Sequence, residues 1–203
     1  MLKALAKRLA GSLTGATGAG INLNLGCGSR KFDGFVNVDK HGDPDVRHDL
    51  EEFPWPWAES SVVLVRLIHV LEHLGRDPDV FIGIMKELYR VCAPGARVEI
   101  AVPHPRHDNF LGDPTHVRVV TAQVLSLFDR EQCEEWERQG FANTPLALYH
   151  GVDFRLLANE NLPAEPYRTL LNEGKLTSEE LAKLERSQNN VIEEIRIVLE
   201  VRK

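Results

Sequence analysis

The chain is short of the features that would make it a stapled, membrane-spanning or polyanion-binding protein. It has three cysteines in 203 residues, Cys27, Cys92 and Cys133, an odd number with no metal-like spacing. A disulfide framework is therefore not expected, and a reducing, cytoplasmic setting is the simplest one. No apolar run in the sequence approaches the roughly 20 residues of a membrane-spanning helix. Positive charge is also scarce, with 24 Lys and Arg against 30 Asp and Glu and a formal net charge of -6. Nucleic-acid binding depends on clustered Lys and Arg, so a nucleic-acid partner is disfavoured. Internal repeats and low-complexity tracts are missing as well. What the chain does have is 43% hydrophobic residues over a length that can bury a sizeable core, the mark of one globular domain.

Residues 1–20 read differently from the rest. MLKALAKRLAGSLTGATGAG starts as a basic amphipathic segment and ends in Gly, Ser and Thr. It is expected to be an N-terminal arm, a short surface helix with a flexible linker, without the apolar core of a signal peptide. Lys3, Lys7 and Arg8 are few for docking to a membrane surface.

Residues 21–203 form the domain. Strand-like segments lie at Ile21–Leu25, Phe35–Val38, Val62–Leu67 and Arg97–Val102. Between the last two, DVFIGIMKELYRVC places Phe81, Ile84, Met85, Leu88 and Val91 on one helical face. This β-α-β rhythm predicts an α/β fold. The stretch APGA, Ala93 to Ala96, is expected to stop the helix and return the chain to a parallel strand.

The densest information sits in LNLGCGSRKFDGFVNVDK, Leu23 to Lys40. Ligands of parallel α/β sheets sit outside the carboxyl ends of the strands, where a Gly-rich turn lets backbone approach them. Gly26 and Gly28 occupy such a turn, and Asp39 ends the next strand, where its carboxylate can accept hydrogen bonds from the two hydroxyls of a ribose. The pair describes a nucleoside site. A dinucleotide fingerprint fits poorly: Lys31 stands where the third glycine belongs, and the acid should follow at about twenty residues rather than so soon. SRKFDG leaves room for little more than a turn or so of helix.

Further along come HDL, FPWPW, HVLEHL and KELYRVCAPGA. Together with NLGCG and NVD, in this order, the chain resembles the class I S-adenosylmethionine-dependent methyltransferases, in particular a small bacterial branch. The resemblance is firm from about residue 21 to 102 and thins beyond. It implies a Rossmann-like α/β fold: a seven-stranded, mostly parallel sheet with helices on both faces and an antiparallel last strand. Carried over, Gly26, Cys27 and Gly28 would line the methionine and ribose side of S-adenosylmethionine, and Asp39 would hold the ribose hydroxyls. Lys40 would lie beside the adenine, Asp49 would take its amino group, and the backbone of Leu50 would meet a ring nitrogen. His69 would end the fourth strand near the sulfonium. The chain departs from the pattern at Asn24, where many members have Asp, and at Gly95-Ala96, where they have Gly-Gly.

This reading divides the domain into a cofactor half over about 21–102, a substrate loop over about 103–121 and C-terminal strands with a candidate lid over about 122–203. The loop VPHPRHDNFLGDPTHVRVVT holds the densest polar cluster of the sequence. Its three prolines suggest a shaped loop on the cofactor rim. His107 or His116 is the expected base, Asp108 the orienting acid and Arg118 the contact for a substrate anion, although Asp113 and His116 could equally pin the loop. His69, Glu72 and His73 have a spacing that could gather metal ligands. In the resembling branch, however, VLEHL implies loop-fixing roles for Glu72 and His73, so no metal is expected.

Trp55 and Trp57 are expected to cover the sheet edge, and Cys27 to be a small turn residue. Phe141–Leu157 and Val191–Val201 read as closing strands, separated by a helix that a Thr177-x-x-Glu180 capping box begins. The expected activity is methyl transfer from S-adenosylmethionine to a small-molecule or glycan-type acceptor, at oxygen. The alternatives are a nicotinamide-dependent oxidoreductase and a non-catalytic cofactor-fold module. The sequence leaves monomer and homodimer open.

Overall fold

The structure is a computed structural model that describes residues 20–203, so the arm expected over 1–20 lies almost wholly outside the described residues. Seven strands form one sheet in the order β3-β2-β1-β4-β5-β7-β6. They are β1 (Ile21–Leu25), β2 (Val36–Asp39), β3 (Val46–Arg47), β4 (Val62–Ile68), β5 (Cys92–Pro103), β6 (Phe154–Pro163) and β7 (Ile192–Val201). Strands β1 to β5 pair in parallel, and the last strand, β7, runs antiparallel between β5 and β6.

The first α-helix among the described residues, α1 (Pro78–Val91), forms where the apolar period demands one. Phe81, Ile84, Met85, Leu88 and Val91 are its buried residues, Pro78 occupies its first turn, and the Asp77 side chain accepts from the Asp79 amide at 2.9 Å. Burying side chains of this size contributes roughly 1.5–3 kcal/mol each. The stripe packs into a single core with Leu23, Leu25, Val65, Leu67, Val98 and Ile100 of the central strands. On β7 the alternation IEEIRIVLEV turns Ile195, Ile197, Leu199 and Val201 into the same core while Arg196 stays exposed. The helix ends at Val91, and Ala93–Ala96 already belong to β5, so the strand begins five residues earlier than expected. Gly95, at φ +78°, gives the backbone freedom it needs there.

The β1–β2 connection holds no helix at all, only turns. Two buried amides explain why. Asn24 on β1 and Asn37 on β2 are 3% and 4% exposed. Asn24 Nδ2 donates to the Arg30 carbonyl at 2.8 Å and to Asn37 Oδ1 at 2.9 Å, and the same Oδ1 accepts from the Phe32 amide at 2.9 Å. Side chains of the strands thus satisfy loop groups that a helix would otherwise satisfy internally. An aspartate at position 24 could not donate either bond, which accounts for the departure noted in the sequence. Arg66 of β4, on the Asn24 side of the sheet, lies 5.0 and 4.6 Å from the Phe32 and Phe35 rings and pairs with Glu99 of β5 at 2.8 Å.

After β5 the chain makes four short helices, α2 (Asp108–Leu111), α3 (Ala122–Ser126), α4 (Arg130–Arg138) and α5 (Leu146–His150), before β6. The last of these corrects the strand expected over Phe141–Leu157: Pro145 precedes a helical turn that Gly151 ends at φ +64°. Phe128 meets Phe81 of α1 with ring centroids 6.0 Å apart and so ties this excursion to the core. Helices α6 (Tyr167–Asn172) and α7 (Ser178–Ser187) join β6 to β7, and α7 has the expected Thr177–Glu180 capping box. Among the described residues no helix is long and apolar enough to cross a membrane.

Candidate active site

Because β1, β2 and β4 are parallel neighbours, their carboxyl ends share one rim. Gly26 follows β1 at φ +68°, and a Cβ on it would stand 2.4 Å from Val70 Cγ2, so only glycine fits. The Gly28 amide donates to Asp39 Oδ2 at 2.9 Å, and the His41 amide to Asp39 Oδ1 at 2.8 Å. Two backbone donors thereby hold the Asp39 carboxylate in place, and each oxygen keeps a lone pair for a ligand. Gly26, Asp39, Lys40, Asp49, Leu50 and His69 all line one cleft with about 590 Å³ of open space. Cys27 and Gly28 adjoin it. The Cys27 side chain is buried, and burial, followed by the charge of Asp39, pushes its thiol up, which suits a packing residue better than a nucleophile.

Asp49 lines the same cleft as the glycine turn. Burial alone would raise its carboxyl, but the Glu51 amide at 3.1 Å and Lys40 at 3.3 Å outweigh it and hold the group below the ordinary value. The Trp55 indole donates to the Leu50 carbonyl at 3.1 Å from a 2% exposed position, and it meets Trp57 edge to face. Both tryptophans, expected to cover the sheet edge, are buried in the core.

His69 follows β4 at φ +56°. Its Nε2 meets Glu194 Oε2 at 2.9 Å, and its Nδ1 stands 3.5 Å from Glu72 Oε1. The carboxylates of Glu194 and then Glu72 raise the imidazole to about 9 against an opposing burial cost. Both carboxylates thus favour the charged form of the ring. Glu194 lies on β7, some 125 residues away in the chain, and was not foreseen. Its signal was faint: a second consecutive acid interrupting the alternation of an otherwise amphipathic strand.

The loop after β5 scatters its polar residues. His107 Nδ1 accepts from the Asn109 amide at 3.0 Å. Asp108 pairs with Asn190, accepting from Nδ2 at 2.9 Å and donating its amide to Oδ1 at 2.8 Å, so it is engaged away from His107. Arg118 Nε donates to the Gly75 carbonyl at 3.0 Å, and its guanidinium lies 4.3 Å from the Phe81 ring, a packing role in place of an anion contact. His116 alone of the four packs against a residue that lines the cleft, His73. Its ring stacks on Phe110, meets His73 at 4.6 Å between centroids, and is 8% exposed.

Sheet order, the antiparallel last strand and a cleft at the tips of β1, β2 and β4 define the fold of class I S-adenosylmethionine-dependent methyltransferases. No protein-family model matches the chain, and no curated protein matches it in sequence. Solved structures do. An S-adenosylmethionine-dependent methyltransferase from Archaeoglobus fulgidus is 18% identical with a TM-score of 0.59, over 98% of this chain and 93% of that one. The YcgJ protein from Bacillus subtilis is 13% identical with a TM-score of 0.51, over 100% and 99%. A chain from the Haloferax volcanii complex that contains the Trm112 methyltransferase activator is 13% identical with a TM-score of 0.51, over 97% and 89%. At such identities the likeness is one of fold.

Proposed function

We propose that the protein is an S-adenosylmethionine-dependent methyltransferase that acts on a small-molecule or glycan-type acceptor, at oxygen. The observation that carries the reading is the Asp39 carboxylate, fastened by the Gly28 and His41 amides at the mouth of the cleft that Asp49 and Leu50 also line. The donor set fits the group: Asp39 for the ribose hydroxyls, Asp49 and the Leu50 backbone for the adenine edge, and the Gly26 turn for close backbone approach. Bound there, S-adenosylmethionine supplies an activated methyl on a positively charged sulfur. The chain's own task is to hold the acceptor in line, and such positioning can supply roughly 7–11 kcal/mol of a barrier.

A hydroxyl acceptor also has to lose a proton. His107 accepts a backbone N–H at Nδ1, so its neutral form carries the proton on Nε2 and offers no lone pair there. His116 has the opposite tautomer. Its Nδ1 meets the Phe110 carbonyl at 2.9 Å, which can only accept, so Nε2 keeps its lone pair. His73 lines the cleft with His116 packed against it, so an acceptor hydroxyl would be handled on that side.

Calorimetry with S-adenosylmethionine, S-adenosylhomocysteine and NAD tests the cofactor. The first two should bind and NAD should not. Binding of NAD alone would replace this reading with an oxidoreductase, which the helix-free β1–β2 turn disfavours because it offers no helix N-terminus to a pyrophosphate. Radiolabelled methyl transfer to hydroxyl- and amine-bearing acceptors then tests the oxygen assignment, which a product methylated only at nitrogen would remove.

A further inference from the structure

We propose that Glu72, His73 and His116 bind one divalent transition-metal ion of the Zn²⁺ class beside the cleft, which His73 lines. One ligand atom of each residue lies within 4.8 Å of the others. No metal was expected here, because in the resembling branch VLEHL implies loop-fixing roles for Glu72 and His73. The fold changes this, since it places His116 from a distant loop against the other two.

Glu72 is the independent sign. It is 1% exposed, and neither carboxylate oxygen has a hydrogen-bond partner. A buried carboxylate left in this way is costly unless a cation answers it. The nearest positive group is His69, whose Nδ1 stands 3.5 Å from Oε1 without the alignment of a hydrogen bond, and whose Nε2 is committed to Glu194. Oε2 is left without a partner.

Both histidines are set for ligation by their neighbours. The Thr115 hydroxyl donates to Asp113 Oδ1 at 2.6 Å, so its oxygen faces His73 Nδ1, 2.9 Å away, as an acceptor. His73 therefore carries its proton on Nδ1. His116 does the same toward the Phe110 carbonyl. Each ring is left with a lone pair on Nε2, the arrangement by which outer hydrogen bonds orient metal-binding imidazoles. Two further bonds preform the site: the Val117 and Arg118 amides donate to the Glu72 carbonyl at 2.9 and 3.1 Å. Asp113 Oδ2, 3.8 Å from His116 Nε2, is one more carboxylate within reach of the site.

Two imidazoles and a carboxylate suit Zn²⁺ and its first-row neighbours better than Mg²⁺ or Ca²⁺, which prefer oxygen donors. Three protein ligands leave a coordination position open, and His73 lines the cleft, so an oxygen of solvent or acceptor can fill it. The site itself does not depend on the methyl-transfer reading.

The test is titration of chelator-stripped full-length protein with Zn²⁺ by calorimetry, and with Co²⁺ by visible absorption. One ion per chain is expected, with Mg²⁺ failing to compete. His73→Ala and Glu72→Gln should each weaken Zn²⁺ binding by about 100-fold or more, and Thr115→Val, acting through His73, by about 10–100-fold. Circular dichroism checks each variant; should Glu72→Gln fail to fold, the variants of half-buried His73 and exposed Thr115 decide the matter. Wild-type protein that binds Zn²⁺ no tighter than the His73→Ala/His116→Ala double variant would overturn the proposal and leave Glu72 as a partner of His69 alone. S-adenosylhomocysteine binding measured in chelator reads the cofactor assignment separately.

Discussion

Gly28 and Asp39 are joined by a hydrogen bond of 2.9 Å from the amide of one strand-end turn to the carboxylate that ends the next strand. The bond couples the glycine turn to the acid, so the carboxylate is already oriented before any ligand arrives. Asp39→Ala should weaken S-adenosylhomocysteine binding by about 100-fold, the size expected when a charged acceptor of two hydroxyls is lost, at about 1.5–3 kcal/mol. Calorimetry measures the affinity and thermal unfolding the accompanying change in stability, which should stay near 1 kcal/mol at this solvent-facing position. Unchanged affinity would end the ribose assignment.

Gly26 tests the turn itself. Gly26→Ala meets both a left-handed φ of +68° and the side chain of Val70 at 2.4 Å. A loss of about 1–3 kcal/mol is expected from the backbone alone, with the clash added to it. Urea denaturation of Gly26→Ala and of Gly26→Ala/Val70→Ala separates the two. The double variant should shed the clash but keep the backbone cost.

Asn24 makes a prediction that runs against the pattern of the resembling family. Asn24→Asp removes the donor to the Arg30 carbonyl and sets a carboxylate against Asn37 Oδ1 in a buried site. It should destabilise the protein by about 1–3 kcal/mol and loosen the turn that carries Gly28. Equilibrium unfolding checks the first effect, and hydrogen exchange at the Phe32 amide, bonded to Asn37, checks the second.

Glu87 on α1 accepts from Arg90 and from the Trp55 amide, and it ties the tryptophan loop to the helix. Its bond with Arg90, and to a lesser degree the Trp55 amide, hold its carboxyl below 4.5 despite the opposing effect of burial. A depressed carboxylate adds stability that is present above the unfolded value and is lost as pH falls through the folded one. The stability difference between wild type and Glu87→Gln should therefore be constant near neutrality and shrink below about pH 4.5. Denaturant midpoints from pH 7 to 3 measure it, and a difference that grows on acidification would contradict the assignment.

Some of this molecule was legible in its order of residues. The stripe Phe81, Ile84, Met85, Leu88 and Val91 is a local period, and the helix that buries it follows without reference to the rest of the chain. The same holds for β1, β4 and β7, whose alternation or apolar runs appear in the folded sheet within a residue or so, and for the capping box at Thr177. The rim of the cleft was legible too, because strand ends of a parallel sheet must share one edge, and the glycine turn, Asp39 and Asp49 mark three of them.

Contacts that cross the chain could not be read in this way. Nothing local assigns Asn24 to Asn37, Glu194 to His69, or Asp108 to Asn190, since each pair is brought together by strand order and loop path. The polar loop is the clearest case. Its residues His107, Asp108, His116 and Arg118 looked like one cluster in sequence, yet folding sends Asp108 to Asn190, Arg118 to Gly75 and His116 to His73. Periodicity determined the elements of this protein because backbone hydrogen bonding and side-chain direction are short-range. Only the tertiary structure decided which polar groups meet, because electrostatic partners are chosen by proximity in space.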